Sequence, residues 1–266
     1  MILASASLQT SILTLVVALA YLLTVLCGAR NERLARVVVS IAWALHGLLL
    51  VLGLSGAEPR FGFASALSVT VWLVAAVYFV ERLFYPLLQV RWAMGSFGAV
   101  AVLLAWVFPG ATFAGGASVW LPLHLALGIG SYGLFGAAVG HALLMGRAEE
   151  RMRQPAAAAT GIPLLTMERM TFRLVWAGFA LLSATLLLAF TVGESLYGAP
   201  VVVRWDHKTV FSVLSWLVFA ALLAGRWRLG WRGRRAARML YAGSGLLFLA
   251  YVGSRFVFEV FLGRAP

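Results

Sequence analysis

The 266-residue chain is 62% hydrophobic and only 11% charged, with a net charge of +12 and a mean hydropathy of +0.94. A water-facing surface needs roughly 25% charged residues, so a soluble globular domain, a disordered chain and a fibrous one are excluded. A polytopic membrane protein with little mass outside the bilayer remains. The single cysteine, Cys27, excludes an internal disulfide, a zinc cluster, a CxxC redox pair and a Cys-x-x-Cys-His site for covalent haem attachment.

A spanning helix needs roughly 20 apolar residues. Eight apolar stretches follow in chain order: Leu8–Leu26, Val37–Leu54, Ala64–Val80, Ala93–Phe108, Trp120–Met145, Leu174–Gly193, Val210–Gly225 and Met239–Phe261. No Lys or Arg precedes the first, so it lacks the charged start of a signal peptide. The expected fold class is all-α: a bundle of about eight spans, forming one integral membrane domain over 1–266.

The basic residues fall unevenly. Sixteen of the 21 Lys and Arg lie in one set of alternate loops, which includes Arg30, Arg33, Arg36, the 147–173 segment and Arg226–Arg238. By the positive-inside rule that set is cytoplasmic, and both termini are expected on the periplasmic side. The +12 surplus is thus read as a topology signal rather than as nucleic-acid binding. Arg226–Arg235, rich in Arg and Trp, is read as a lipid-headgroup anchor. Within the longest cytoplasmic loop, 147–173, Pro163–Arg173 puts Leu164, Met167 and Met170 on roughly one face. A short interfacial helix leading into span six is the expectation.

Four histidines carry the chemical interest. His46 lies mid-span in the second stretch, where an ionisable side chain is expensive and faces the bundle interior. His124 lies one turn inside the outer end of span five, and His207 at the outer start of span seven. His141 shares a helix with His124 but lies about 25 Å further along and about 100° around it, so the two cannot share one ligand. Neutral imidazole is a good axial ligand for haem iron, and two can clamp the ring from opposite faces. The alternative for any one of them is a hydrogen-bonding strut between helices, the role assigned to His141.

Other features have structural readings. Gly128, Gly130, Gly133, Gly136 and Gly140 thin one flank of span five, with Gly136-x-x-x-Gly140 a small-residue pair; the flank reads as close helix packing or, alternatively, as room for a flat ligand beside His124. Asp206 fits the N-cap of span seven. Arg255 and Glu259 fit an i, i+4 pair, and Trp106, Trp120 and Trp205 an aromatic belt. The nine acids lie mostly at membrane edges, none at a midplane position, which counts against a proton-coupled transporter.

Two segments carry a resemblance. Trp120-Leu-Pro-Leu-His124, continuing to Ser131-Tyr132, resembles the cytochrome c assembly protein family, which includes CcsA and CcmC. Trp205-Asp206-His207-Lys208-Thr209 is similar to that family's Trp-Asp-Pro-Lys-Glu-Thr segment. In length and in the order of its pieces the chain resembles the smaller HemX-like and YpjD-like members. The resemblance implies a multi-pass bacterial inner-membrane protein that handles or presents haem at the outer face. It further implies an assembly factor rather than a catalyst in its own right, with non-covalent haem b as cofactor. The implied partners are the lipid bilayer, haem, and other cytochrome c maturation proteins or apocytochrome c, with no nucleic acid.

By position His124 matches the family's first external haem-ligand histidine, and His46 a transmembrane one. His207, on the same outer face by its position in the chain, or His46 would partner His124 on the iron. Tyr132, Trp205 and Asp206 would contribute to the cofactor site, Trp205 by stacking, and Arg204 or Lys208 would pair with propionates. The chain departs from the large members in its sparse loop Gly198-Ala-Pro-Val-Val-Val-Arg204, and His207 stands where they have Pro. Their second external histidine is missing, which puts full synthetase activity in doubt and fits an accessory or regulatory haem-binding relative. Outside the resemblance, a haem-free small-solute permease using His46 and a regulatory membrane subunit remain open.

Overall fold

The computed structural model describes residues 8–27, 31–55, 60–84, 91–112, 120–152, 163–197, 207–257 and 260. Within them lie eight long helices: α1 (Leu8–Cys27), α2 (Glu32–Ser55), α3 (Phe63–Phe84), α4 (Arg91–Val107), α5 (Trp120–Met152), α6 (Leu164–Tyr197), α7 (His207–Leu229) and α8 (Gly233–Phe248). The last continues through a π-helical turn, Leu249–Gly253, into the short helix Ser254–Phe256. Seven of these segments are long and apolar enough to cross a membrane. The eighth, α4, has 17 residues and reaches about 25 Å, somewhat less than a hydrocarbon core of about 30 Å.

Each expected stretch coincides with a helix, and most of the helices run further. Hydropathy marks only the part inside hydrocarbon. The backbone ladder continues past it, because carbonyls at the interface still need partners. One expectation is corrected by this. Pro163–Arg173 is not a separate interfacial helix; from Leu164 onward it forms the first turns of α6. Met167 and Met170 on the expected face are buried, and so is Glu168 beside them.

Contacts divide the chain into two compact units. The first contains α1, α2, α4 and α3 as far as Ala76. Here α1 packs on α2 and α4. The approach to α4 is close because Gly95 and Gly98 present no side chain. A Cβ on Gly98 would lie 2.7 Å from the Tyr21 ring, and one on Gly95 2.7 Å from the Tyr21 carbonyl. Small residues at such contacts let backbones approach where lipid offers no hydrophobic drive.

Across α2 and α3, Trp43 and Trp72 stack with centroids 4.9 Å apart at 4°. Each indole donates to the other's carbonyl, at 3.1 and 3.0 Å. A two-residue antiparallel pair, β1 (Arg60–Phe61) with β2 (Ala111–Thr112), also belongs to this unit. It was not foreseen, being too short for an alternating pattern. Gly110 leads into it with φ +80, and a Cβ there would lie 2.5 Å from the Gly62 nitrogen, so both conformation and space demand glycine.

The second unit holds the end of α3 from Val77, with α5, α6, α7 and α8. α5 and α6 form an antiparallel hairpin: Gly128 faces Thr185, Gly130 faces Leu181, and Phe135 faces Gly178. Its core draws Phe135, Ala138 and Ala142 from α5, Val175 and Leu182 from α6, Phe219 and Leu222 from α7, and Leu240 and Leu247 from α8. Hydroxyls inside the helices are satisfied locally. Thr14, Thr24, Thr70, Thr171, Ser183 and Thr185 each donate to the carbonyl four residues back, as low-dielectric surroundings require. Large apolar side chains face outward on every long helix, including Leu19, Val51, Leu83, Phe97, Leu143, Leu187, Leu217 and Phe248. That surface suits acyl chains rather than water.

Candidate functional site

The histidines divide by how their ring nitrogens are used. His46, on α2, is 1% exposed. Its Nδ1 is bonded to the Tyr21 hydroxyl at 3.1 Å and its Nε2 to the Ser68 hydroxyl at 2.8 Å. The Tyr21 ring also meets the imidazole edge-on at 5.8 Å. Three helices are thereby tied at one point. Neither nitrogen has a lone pair to offer a metal while both bonds stand, so this geometry is that of a strut. The mid-span burial read from the sequence holds, whereas the ligand role drawn from the resemblance would require one bond to open.

His124 differs. It lies in the first turns of α5, facing α6, and its imidazole is hydrogen-bonded to the Thr185 backbone. Its Nδ1 is buried with no partner among the described residues. Thr185 is held in turn by its hydroxyl bond to the Leu181 carbonyl, and a Cβ on Gly128 would sit 3.6 Å from its methyl. One nitrogen fixed by a backbone carbonyl with the other left open is the usual support of a metal-ligating histidine. A buried unpaired nitrogen otherwise costs about 1–3 kcal/mol.

His141, further along α5, is 5% exposed. Its Nε2 lies 2.7 Å from the Glu81 carboxylate of α3, itself largely buried. Its Nδ1 has no partner among the described residues. This pairing was not anticipated. Glu81 stands beside Arg82 near the end of an apolar stretch and reads as an interface residue. Only the fold brings it to a histidine 60 positions away.

His207 is the first residue of α7 and is exposed; Lys208 follows it, partly buried. Both make interactions within the structure. Arg204, Trp205 and Asp206, the other members of that predicted cluster, lie outside the described residues, as does Glu259, the proposed partner of Arg255. Tyr132 is directed elsewhere: its hydroxyl donates to the Leu247 carbonyl of α8, just before the π-helical turn. With its one proton committed there, it is an interhelical tie in this geometry. A Cβ on Gly140 would meet nothing within 4 Å, whereas one on Gly130 would lie 3.0 Å from Leu181 of α6. Gly128 and Gly130 carry that contact, beside His124.

The Arg/Trp segment between α7 and α8 is partly turned inward. Arg226 forms an ion pair with Glu168, which Arg232 approaches at 3.9 Å. Arg226 also donates to the Trp231 carbonyl at 3.1 Å and lies 4.4 Å from the Phe172 ring centre. Arg228 and Arg235 lie over Trp227 and Trp231, and Trp227 and Leu229 are exposed. Among the described residues no group of three or more His, Cys, Asp or Glu is arranged around a common metal position.

The profile of the Cytochrome C assembly protein family matches residues 6–262. The chain belongs to that family. An uncharacterized 28.8 kDa protein of Azospirillum brasilense is 33% identical over 233 residues, covering 80% of this chain and 85% of that protein. Inner membrane protein YpjD of Escherichia coli K12 is 37% identical over 95 residues, 36% of this chain and 35% of YpjD. Cytochrome c biogenesis protein CcsA of a Synechococcus strain (JA-3-3Ab) is 31% identical over 109 residues, 39% of this chain and 31% of CcsA. No solved structure matches. With seven helices able to span a bilayer, this family member is a multi-pass inner-membrane protein, multi-pass as its composition implied and of the inner membrane as the resemblance implied.

Proposed function

We propose that this protein binds haem b non-covalently and handles it at the outer face of the membrane during cytochrome c biogenesis, with His124 as an axial ligand. The observation that carries the reading is the pair of facts at His124: the ring is held by the Thr185 backbone, and the buried Nδ1 has no partner. Bound haem would supply a redox-active iron whose axial positions accept imidazole. The chain's own residues orient His124 and exclude water from it, with Gly128 and Gly130 letting α6 pack close beside it.

His207 is the proposed second ligand, since it opens α7 within the Trp205–Lys208 segment. Arg204 and Lys208 are the proposed propionate partners and Trp205 the stacking surface, with Asp206 orienting the segment. His46 leaves the ligand set and Tyr132 the haem site, and both act as struts, because their polar atoms are engaged within the bundle. The Arg-rich loops are cytoplasmic and both termini periplasmic, following the sixteen-to-five bias. Maturation proteins or apocytochrome c would receive the haem.

The test is the absorption spectrum of detergent-purified protein, oxidised and then reduced with dithionite. The expected result is a b-type Soret band that His124→Ala weakens strongly and His207→Ala alters. Haem content unchanged in both variants overturns the site assignment.

A further inference from the structure

The basic segment between α7 and α8 divides in the structure. Arg226 turns inward to Glu168, whereas Arg234, Arg235 and Arg238 stand exposed on the first turns of α8. We propose that the outward side of α8 holds one anionic phospholipid, with its phosphate on these three arginines and an acyl chain laid along Tyr241, Ala242 and Gly245. The proposal stands on residues away from His124 and does not depend on haem binding.

Three observations carry it. The first is charge without an internal partner. Among the described residues the ion pairs of this region all end on Glu168, which Arg226 engages and Arg232 approaches at 3.9 Å. Arg234, Arg235 and Arg238 have none, and α8 has no acid in its first turn. Like charges three and four residues apart repel, and cations at a helix N-terminus oppose its dipole. An anion from outside the chain relieves both. Guanidinium suits a phosphate, which it meets with two parallel hydrogen bonds, and basic clusters at the end of a spanning helix attract anionic lipid.

The second is direction. At about 100° per residue the three arginines fall on one side of α8, roughly opposite Ala236, Leu240, Gly243 and Leu247, which are buried in the bundle. Deeper along that outward side come Tyr241, Ala242, Gly245, Phe248 and Leu249, all exposed. A Cβ on Gly245 would meet nothing within 4 Å, so a shallow notch lies among the larger side chains. The ten residues from Arg238 to Phe248 cover about 15 Å, half of a hydrocarbon core of about 30 Å. Polarity falls along this stripe in the order it falls along a phospholipid: cations for the phosphate, a phenol hydroxyl at the level of the esters, then small and apolar side chains for the acyl chain.

The third is rigidity. Arg235 lies over the Trp231 ring, 4.1 Å from its centre. That ring fills the space a Cβ on Gly225 would take, and the Trp231 carbonyl accepts from Arg226 at 3.1 Å. The inward arginine thus fixes the loop that leads to the outward ones. Side chains ordered in advance lose less entropy when a ligand binds. Exposed Trp227 and Leu229 beside this loop mark it as the level of the headgroups.

The test uses full-length protein, delipidated in detergent. Its thermal unfolding midpoint is followed as phosphatidylglycerol or phosphatidylcholine is added, and the phospholipid phosphorus retained after a second purification is measured per chain. Phosphatidylglycerol is expected to raise the midpoint saturably and to remain at one per chain, phosphatidylcholine to do neither, and high salt to weaken the effect. The triple change Arg234→Gln, Arg235→Gln, Arg238→Gln should abolish the phosphatidylglycerol shift, while the lipid-free midpoint stays level or rises because the repulsion is gone. Arginines with a merely structural role would lower it. Gly245→Leu should reduce retention by filling the notch, and Arg228→Gln, at the end of α7, should change nothing.

Equal shifts from the two lipids overturn the proposal, as does a triple variant that keeps the phosphatidylglycerol shift. An equal loss in Arg228→Gln overturns it in favour of diffuse attraction to charge, and the same shift from inorganic phosphate alone overturns it in favour of a free anion. A midpoint that follows protein concentration rather than lipid assigns the face to a second copy of the chain and overturns it too.

Discussion

Phe135 of α5 and Phe219 of α7 lie face to face, their ring centres 3.7 Å apart and their planes 2° from parallel. Ring quadrupoles by themselves favour offset or edge-on pairs at 4.5–7 Å, as a rule worth about 0.5–1.5 kcal/mol. The surrounding packing must impose this stack, and two glycines show how. A Cβ on Gly178 of α6 would sit 3.1 Å from Phe135, and one on Gly243 of α8 would sit 2.8 Å from Phe219. Glycine, ring, ring and glycine thus form one column through α6, α5, α7 and α8. Ser215 donates to the Gly243 carbonyl at 2.8 Å and fixes the column's end.

The column makes Gly243→Val an overpacking change. The expected loss is about 1–3 kcal/mol, read as a lower thermal unfolding midpoint in detergent. Gly245→Ala is the matched control, since a Cβ there meets nothing within 4 Å. It should leave the midpoint unchanged or raise it, because alanine is the better helix former. Equal effects of the two substitutions would contradict the column.

His46→Ala separates strut from ligand. As a strut, His46 joins Tyr21 and Ser68, and interhelical bonds of this kind contribute about 0.6–2 kcal/mol each in a membrane. The variant should unfold at lower temperature while its haem content stays at the wild-type level. Tyr21→Phe and Ser68→Ala should each give a smaller share of that loss, and their effects should not add, because they share one imidazole. Loss of haem with an unchanged unfolding midpoint would return His46 to the ligand set.

Glu168 and Arg226 form a largely buried pair. Removing one partner strands the other's charge, so Glu168→Ala should destabilise by about 1–3 kcal/mol. The double change Glu168→Ala, Arg226→Met removes both charges and keeps the contact with Phe172. It should recover part of that loss. A double variant no better than the sum of its singles would mean that the pair is uncoupled.

Orientation can be read by thiol labelling in a Cys27→Ser background. Lys208→Cys should react with a membrane-impermeant maleimide in intact spheroplasts. Arg234→Cys should react only after lysis, because it lies in the Arg-rich set that stays inside. The reverse pattern would invert the topology and move His124 to the cytoplasmic end.

The spans were legible in the sequence because membrane insertion depends on a local sum. About 20 neighbouring apolar residues suffice whatever the rest of the chain does, so α1 to α8 each coincide with an expected stretch. The family was legible for a similar reason, since the runs around His124 and Trp205 are continuous in the chain.

The use of each histidine was not legible, because hydrogen bonding is settled by residues distant in sequence. Ser68 is 22 positions from His46 and Glu81 is 60 from His141. Composition and spacing by themselves determined a basic-sided bundle of membrane helices with four imidazoles distributed along it. Only the tertiary structure decided which imidazoles spend both nitrogens on neighbouring helices and which keep one in reserve. In a medium without water a polar atom left unpaired is costly, and helix packing alone determines whether a partner stands beside it.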